Sequence, residues 1–156
     1  MTARSLKKRQ IYQKSCEKFG YTTAKIGDTP VQIAPYFKNG KLIAQHIRYP
    51  DKSFAWIGKP RGVELFGQHL WRDGGKRVVV TEGEIDAMTI AQVFNLKWPV
   101  VSLPNGVTSA RKAIQQELEW LERFDEVVLA FDDDEPGREA IEKVANLLSP
   151  GKVKIM

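Results

Sequence analysis

The sequence predicts an α/β protein in which a small α+β lobe with an antiparallel sheet precedes a parallel sheet flanked by helices. Two observations predict this fold class. From residue 75 onward, short runs of β-branched residues alternate with segments of helical periodicity, which is the signature of a parallel sheet with right-handed crossovers. Before residue 75, β-rich runs are joined by turn residues without helices between them, as in antiparallel sheets. A chain of 156 residues is long enough for both lobes.

The first lobe is predicted to open with helix and to continue as antiparallel strands. Apolar residues recur on a helical period from Ser5 to Phe19, as one helix or two short pieces, and Gly20 supplies a stop. The Asn39-Gly40 pair accommodates the positive φ angles of a type I′ hairpin turn, and Pro50-Asp51 marks a second turn. We therefore expect about three strands in the first sheet.

The second lobe is predicted to alternate strands and helices. Strands are expected at Val78 to Val80, at Val100 to Leu103, at Val127 to Phe131 and from residue 152 onward. Helices are expected over Glu84 to Phe94, from about Ser109, and after residue 134, where Pro136 lies in the first turn and its missing N–H costs nothing.

The boundary between the lobes is predicted in the glycine-containing turn that follows residue 71, because beyond it the pattern changes to alternating strands and helices. The apolar segment of residues 64 to 71 is too short to classify. Residues 1 to 74 then form the first domain and residues 75 to 156 the second. The first holds 14 Lys or Arg and 5 Asp or Glu, whereas the second holds 10 and 14. Net charges of +9 and −4 suggest a polyanion or nucleotide phosphate on the first and a metal ion on the second.

Two classes of protein are excluded by composition. The sequence contains no run of about 18 apolar residues and no apolar segment after a basic start, so we expect an intracellular protein without membrane association. One cysteine, Cys16, and two histidines cannot build a disulfide framework or a cysteine-rich zinc site within this chain. A buried or inert thiol is expected at Cys16.

Acidic residues follow two of the predicted parallel strands. Glu82 comes directly after the first strand, and Asp86 lies about one helical turn later. Asp132 and Asp134 follow the third strand, two positions apart. Because the carboxyl ends of parallel strands meet at one edge of a sheet, we expect these four carboxylates to converge. Carboxylates crowded in this way need a cation, and oxygen ligands favour Mg²⁺ or Mn²⁺, the ions of phosphoryl and nucleotidyl transfer.

Neighbouring acids have simpler explanations. Glu84 and Glu135 complement the macrodipole at a helix start, and Asp133 is expected to be solvated. A phosphatase with an aspartyl nucleophile also uses two aspartates two positions apart. In such an enzyme the strand before them opens the domain, whereas Asp132 follows the third strand.

The motifs TEGEIDAMT (residues 81 to 89) and FDDDEPGREA (residues 131 to 140) resemble the Toprim domain shared by primases, topoisomerases and certain nucleases. The chain as a whole is similar to the primase portion of phage primase-helicases and of the related mitochondrial replicative helicase. VVVTEGEID, PVVSL, LFGQHLW, FDDDEPGR and GKVK match that group in order and spacing. The helical start RSLKKRQIYQKSCEKFGY matches the start of its RNA polymerase domain.

The resemblance implies a Toprim-type sheet and the catalytic core of a DNA primase, a DNA-directed RNA polymerase that makes short RNA primers by metal-dependent nucleotidyl transfer. It implies ribonucleoside triphosphates, a single-stranded DNA template, a replicative helicase in cis or in trans, and a cytoplasmic location in a phage-infected or bacterial host. Glu82, Asp132 and Asp134 match the metal-binding residues of the family. Asp86 would support that cluster.

The resemblance also implies nucleotide or template contacts from the first lobe. Arg48 and Lys52 match best the basic residues that make these contacts in the family. His46 stands where the phage relatives have a lysine, and its imidazole is mostly neutral at pH 7. Lys59, Arg61 and Asn105 are further candidates, and a turn role explains Asn105 as well.

Two departures from the family keep other functions open. The phage enzymes read the template through a separate N-terminal zinc module, which a chain with one cysteine lacks. Family members carry further acids after the last predicted strand, so the second domain is expected to be truncated at its C-terminal end. The alternatives are a non-catalytic Toprim module that binds nucleic acid and metal beside a replicative helicase, or a Toprim nuclease. A topoisomerase also needs a large clamp domain with a tyrosine nucleophile.

Overall fold

The computed structural model describes residues 1–71 and 74–156. It divides into two compact units, Met1–Val63 and Glu64–Met156. We call them the basic unit and the acidic unit, because residues 1–63 hold 13 Lys or Arg and 3 Asp or Glu, and residues 64–156 hold 11 and 16. Arg72 and Asp73, in the turn predicted as the lobe boundary, lie outside the described residues.

The segment of residues 64 to 71, which the sequence left unclassified, belongs to the acidic unit. Phe66 forms an isolated antiparallel bridge with Ser102. The indole N–H of Trp71 donates to the carbonyl oxygen of Val100 over 3.0 Å. The compact units divide before this segment, whereas the sequence pattern placed the division after it. A short apolar run without periodicity does not indicate which strands it will contact.

The basic unit consists of two short helical pieces and one antiparallel sheet. A 3₁₀ turn covers Lys7–Arg9, and helix α1 (Gln13–Phe19) ends at Gly20, which has a φ of 70°. The sheet has the order β1-β2-β3-β4. Its strands are β1 (Thr22–Ile26), β2 (Thr29–Lys38), β3 (Lys41–Arg48) and β4 (Phe54–Gly58). The two helical pieces are confirmed.

The expectation of three strands in this sheet was wrong, because β1 is a fourth. Its sequence, TTAKI, lacks a run of apolar residues and shows no clear alternation. It forms a strand because its backbone pairs with the more apolar β2, in a register that sets Thr22 opposite Ile33. Strand pairing in the fold thus overrides a weak local pattern.

Both predicted turns in the basic unit are present. Asn39 and Gly40 have φ angles of 51° and 80° between β2 and β3, as a type I′ hairpin requires. In the turn between β3 and β4, the carboxylate of Asp51 accepts hydrogen bonds from the backbone N–H and the hydroxyl of Ser53, over 2.9 and 2.6 Å. These bonds fix the turn that carries Lys52.

The two faces of the antiparallel sheet differ in character. One face packs a small core of Val31, Ile33 and Ile47. On the other face, register sets His46 opposite Trp56 and Arg48 opposite Phe54. Cys16 is buried in this unit as expected, and burial together with the charge of Glu17 raises the pKa of its thiol.

The acidic unit is a parallel sheet with helices in the crossovers, as predicted. The strand order is β6-β5-β7-β8, and all three pairings are parallel. The elements are β5 (Gly75–Thr81), α2 (Glu84–Val93), β6 (Val100–Ser102), α3 (Ala110–Gln116), α4 (Leu118–Glu122), β7 (Phe124–Ala130), α5 (Glu135–Ala145) and β8 (Val153–Ile155). The one helix expected from about Ser109 is two, because the backbone of Glu117 turns to a φ of −101° and a ψ of 20°.

The central strands β5 and β7 form the hydrophobic core of this unit. Val78, Val80, Val127 and Leu129 have no exposed surface. Burial of each such side chain contributes about 1.5–3 kcal/mol relative to exposure. The core therefore fixes the register between the two strands, in which Thr81 lies opposite Ala130.

In the described part of the chain, every helix is too short or too polar to span a bilayer.

Candidate active site

The acidic motifs meet at the carboxyl ends of β5 and β7. Glu82 follows the last residue of β5, and Asp132 lies two residues beyond the end of β7. The backbone N–H of Asp132 donates a hydrogen bond to Oε1 of Glu82 over 2.9 Å. Two motifs that are 50 residues apart in the sequence are therefore in direct contact, and the register of buried strands holds them there.

The environment of Glu82 disfavours its negative charge. Partial burial raises the pKa of Glu82 most, and the charges of Asp132 and Asp134 raise it further, as does a side-chain hydrogen bond with Asp132. The N–H of Asp132 acts in the opposite direction, but the net pKa of Glu82 is raised. Carboxylates thus lie close together at this edge of the sheet, and their mutual repulsion is reduced by binding either a proton or a cation.

Asp134 is held by the helix that follows it. It is the N-cap of α5, and its Oδ1 accepts a hydrogen bond from the backbone N–H of Gly137 over 2.8 Å. Pro136 lies in the first turn of α5, as predicted. The cap fixes the orientation of the Asp134 carboxylate, and its second oxygen remains available as an acceptor.

Gly137 occupies a position where no side chain fits. A Cβ on Gly137 would lie 2.1 Å from the carbonyl oxygen of Asp132 and 3.0 Å from Oδ1 of Asp134. The constraint is one of space rather than of backbone conformation, because Gly137 is an ordinary helical residue of α5. A glycine three residues after Asp134 is the only local sign of this constraint, and its meaning depends on the packing.

The other acids of the two motifs are not part of the hydrogen bond between Glu82 and Asp132. Asp133 is exposed and pairs with Nε of Arg138 over 3.1 Å. Glu84 and Glu135 open α2 and α5, where they complement the helix dipole. Asp86 is exposed in the first turn of α2. The acids that affect Glu82 electrostatically are Asp132 and Asp134.

The donor set at this edge consists of carboxylate oxygens, which suit a hard cation such as Mg²⁺ or Mn²⁺. Within residues 1–71 and 74–156, no group of three or more His, Cys, Asp or Glu side chains stands ready to hold a metal ion by itself. This arrangement is compatible with Mg²⁺, which is usually bound by one or two carboxylates together with substrate phosphates and water. The contact between Glu82 and Asp132 supplies such a pair.

The basic unit contains a second candidate site, a pocket of about 570 Å³ that we call the cationic pocket. Arg48 lies at the end of β3, and Lys52 in the turn after it. Five basic residues and no acidic residue line the pocket. Its lining residues are Ser5, Leu6, Lys7, Lys8, Arg9, Thr23, Pro30, Val31, Gln32, Arg48, Tyr49, Pro50 and Lys52.

The structure brings the predicted residues Arg48 and Lys52 together in this pocket. It adds Lys7, Lys8 and Arg9, which sequence reasoning missed because they were interpreted only as part of a helical start. A run of three basic residues in a 3₁₀ turn was the available signal.

His46 lies in an aromatic environment. Its ring stacks on Phe54, with centroids 4.7 Å apart and planes at 9°, and on Trp56, with centroids 4.4 Å apart and planes at 25°. The neighbours that define the position of the imidazole are therefore rings. A direct phosphate contact by His46 stays a prediction.

The remaining candidates lie in loops. The backbone N–H of Lys59 donates to the carbonyl oxygen of Ile43, just after β4, and Arg61 is exposed two residues later. Asn105 belongs to the acidic unit, at the carboxyl end of β6, and it precedes the 3₁₀ turn Gly106–Ser109. Its carbonyl oxygen accepts a hydrogen bond from the Thr108 hydroxyl over 3.3 Å, so Asn105 has at least a turn role.

Comparison with known protein families identifies the family of this chain. The Toprim-like family matches residues 79–156, which is half of the chain and includes both acidic motifs. The chain belongs to the Toprim-like family. Upstream of the Toprim-like region, residues 2–58 match the N-terminal α+β fold of the bacteriophage T7 DNA helicase/primase. The resemblance that the motifs indicated is thereby confirmed for both units.

Two curated relatives of the Toprim-like chain are a phage helicase/primase and a plant protein. It is 41% identical to the DNA helicase/primase of Enterobacteria phage T3, over 94% of this chain and 26% of the relative. It is 27% identical to the Twinkle homolog protein, chloroplastic/mitochondrial, of Arabidopsis thaliana, over 90% of this chain and 21% of the relative. The chain thus spans about a quarter of the length of the curated relatives that it matches.

Solved structures similar to the Toprim-like chain confirm the fold class. One is a crystal structure of the primase fragment of the bacteriophage T7 primase-helicase protein, with 41% identity and a TM-score of 0.93, over 98% of this chain and 63% of that one. Another is a structure of the bacteriophage T7 lagging-strand DNA polymerase interacting with primase domains of two subunits bound to an RNA/DNA hybrid and dTTP. Its matching chain has the same identity and TM-score, over 98% of this chain and 78% of that one. The chain is therefore homologous to the primase part of a phage primase-helicase.

Proposed function

We propose that the chain is the catalytic core of a DNA primase, which synthesises short RNA primers on a single-stranded DNA template. The observation that carries the proposal is the direct contact between Glu82 and Asp132, at the strand edge of a chain homologous to phage primase domains. The reaction is nucleotidyl transfer. The 3′-hydroxyl oxygen bonds to the α-phosphorus of an incoming ribonucleoside triphosphate, the bond to the β-phosphate breaks, and pyrophosphate leaves.

Glu82 is the proposed proton acceptor and metal ligand of this reaction. Its raised pKa supports this role, because burial and the neighbouring aspartates favour a proton or a cation on the carboxylate. Asp132 and Asp134 are the proposed partners in metal binding, and Asp86 supports the cluster from the first turn of α2. A bound Mg²⁺, or Mn²⁺, would supply positive charge that acidifies the attacking hydroxyl and stabilises the leaving pyrophosphate.

The basic unit is the proposed binder of phosphates. Arg48 and Lys52 line a pocket without acidic residues, so their charges are available to a triphosphate or to a nucleic-acid backbone. Lys59, Arg61, His46 and Asn105 are secondary candidates for the same partners. A replicative helicase, in cis or in trans, is the proposed protein partner, since the curated relative from phage T3 is a helicase/primase.

The test of this function is primer synthesis by the longest natural protein in which the chain occurs, with single-stranded DNA, labelled ribonucleotides and Mg²⁺. We expect oligoribonucleotides, and we expect Glu82→Gln to reduce their yield by about 100-fold or more, as loss of a group that stabilises transition-state charge does. Asp133→Asn is the matched control, because it removes an exposed acid of the same motif that pairs with Arg138.

A yield no higher than that of Glu82→Gln would contradict the enzyme assignment and leave the non-catalytic binding module. Cleavage of the DNA, abolished by Asp132→Asn, would assign the chain to the Toprim nucleases instead.

A further inference from the structure

A ladder of four aromatic rings lies on one face of the antiparallel sheet. We call it the aromatic ladder, and its members are Tyr36, Trp56, His46 and Phe54. Tyr36 is buried and packs edge-on against Trp56, with ring centroids 5.0 Å apart. Trp56 stacks on His46, and His46 stacks on Phe54. The ladder thus runs from the interior to solvent, where half of the surface of Phe54 is exposed.

The outer end of the aromatic ladder lies outside the core. Tyr36, at the inner end, is buried, whereas Phe54 is half exposed, and the cluster of Val31, Ile33 and Ile47 packs on the opposite face of the sheet. A large ring left half exposed, aligned with others and not covered by the core, is typical of a surface that binds a planar partner.

Positive charge meets the exposed end of the aromatic ladder. The guanidinium carbon of Arg48 lies 5.6 Å from the centroid of the Phe54 ring, in the range of a cation–π contact. Arg48 also lines the cationic pocket together with Lys52. The exposed ring of Phe54 and the cationic pocket are therefore adjacent, and Arg48 belongs to both.

Charge and shape together select the class of partner. The basic unit holds 13 basic and 3 acidic residues, which favours a polyanion over a basic or neutral partner. A single strand of nucleic acid presents flat bases and phosphates alternately, and proteins bind such strands by aromatic stacking inside a positively charged groove. A duplex keeps its bases stacked on each other, so it cannot use the ring of Phe54.

We propose that the end of the aromatic ladder, Phe54 with Arg48, is a stacking site for an unpaired nucleobase whose neighbouring phosphates enter the cationic pocket. The site deepens the proposed function and rests on it, because it places a base of a single-stranded nucleic acid on the basic unit. His46 and Trp56 are positioning residues, since His46 stacks on Phe54 and Trp56 stacks on His46. Phe54 contacts the base.

The test compares binding of an oligodeoxynucleotide with binding of an abasic strand of the same length, by fluorescence anisotropy at several salt concentrations without divalent metal. We expect Phe54→Leu to weaken binding of the intact strand about 5- to 100-fold, the range for loss of one base–aromatic stack. Binding of the abasic strand should not change. The dependence of affinity on salt should also stay the same, because no phosphate contact is lost.

Two variants separate stacking from loss of folding. Phe54→Tyr keeps a ring and should keep the affinity. Ile57→Ala is the matched control, since Ile57 is similarly exposed, at 53%, on the other face of β4. Equal weakening of both strands by Phe54→Leu, or no weakening of either, would overturn the proposal.

Further measurements identify the source of the base and separate the two proposals. Competition by a free ribonucleoside triphosphate that is lost in Phe54→Leu would assign the base to the incoming nucleotide, and its absence would assign it to the strand. The same Phe54 dependence is expected in a Glu82→Gln background. Primer synthesis that needs Glu82 without base-dependent binding at Phe54 would overturn only this inference. Base-dependent binding without synthesis would overturn only the proposed function.

Discussion

The basic unit and the acidic unit differ in how they build their candidate sites. In the basic unit, Lys7, Arg48 and Lys52 extend from turns and a strand end, and each contributes a charge to the cationic pocket almost independently. In the acidic unit, Glu82 and Asp132 are functional candidates as a pair, because the backbone N–H of Asp132 bonds to Glu82 and the charge of Asp132 raises the pKa of Glu82. Additive effects are therefore expected in the first unit and strongly coupled effects in the second.

The two candidate sites differ because their side chains must be positioned with different accuracy. The register between β5 and β7 places the carboxylate of Glu82 within hydrogen-bonding distance of the Asp132 backbone, and a buried core fixes that register. The cationic pocket needs only an excess of positive charge over a small area, which tolerates variation in position. A shift of one ångström therefore matters more at Glu82 than at Lys52.

The largest expected effect on the free energy of unfolding comes from Gly137→Ala in the acidic unit. The added Cβ would lie 2.1 Å from the carbonyl oxygen of Asp132, so the segment of Asp132 to Asp134 must move. We expect a loss of about 1–3 kcal/mol in the free energy of unfolding, as for overpacking in a tight site. Primer synthesis should fall by more than tenfold, in line with about 100-fold for an ångström of displacement in other enzymes.

The matched control is Gly83→Ala, measured by urea unfolding. A Cβ on Gly83 would lie 3.6 Å from Oδ2 of Asp86, an ordinary contact, and its φ of −133° suits any residue. Equal destabilisation by both substitutions would mean that the close approach at Gly137 does not hold the acidic loop in place.

A smaller and additive effect is expected from the basic unit. Neutralising Arg48 and Lys52 together, as Arg48→Gln with Lys52→Gln, should reduce the slope of log affinity against log salt for single-stranded DNA by about 1.4, since each phosphate contact contributes about 0.7. Each single variant should give about half of that change. The measurement is a salt titration of DNA binding.

Lys97→Gln with Lys143→Gln is the charge-matched control for that titration, because both lysines are exposed in the acidic unit. An unchanged slope in the Arg48 and Lys52 double variant would remove the cationic pocket from the nucleic-acid interface. A double effect much larger than the sum of the single effects would contradict the contrast between the units.

The smallest expected effect is a pH dependence of stability from Glu82. Because burial and the neighbouring aspartates raise the pKa of Glu82 in the folded chain, its contribution to stability is present below the ordinary glutamate pKa. That contribution is lost as the pH rises through the raised pKa. Glu82→Gln should remove this loss, so that without metal the variant is at least as stable at pH 7 as the unmodified chain. Thermal unfolding of both proteins between pH 4 and pH 8 measures this difference in stability.

Glu122→Gln provides the opposite sign within the same unit. Although burial tends to raise its pKa, hydrogen bonds from the Ser149 amide and hydroxyl lower it, with help from Lys152. The stability contributed by Glu122 is therefore present above its ordinary pKa and is lost as the pH falls. If both variants changed the pH profile in the same direction, the electrostatic account of Glu82 would be wrong.

The amino-acid sequence by itself determined the fold class of both units, because local periodicity and turn chemistry report directly on strands, helices and hairpins. The alternation after residue 75 and the Asn39-Gly40 pair are such local signals, and both were confirmed. The motifs around Glu82 and Asp132 also determined the family. The sequence could not reveal β1, which exists because β2 lies beside it.

Only the tertiary structure decided which residues act together. The contact of Glu82 with Asp132, the absence of space at Gly137 and the joining of Lys7 to Arg48 in one pocket depend on packing between distant segments. The stacking of His46 between strands likewise depends on the register of β3 and β4. Sequence spacing reports neighbours along the chain, whereas register and core packing determine neighbours across it, and the chemistry of this protein lies in the second kind.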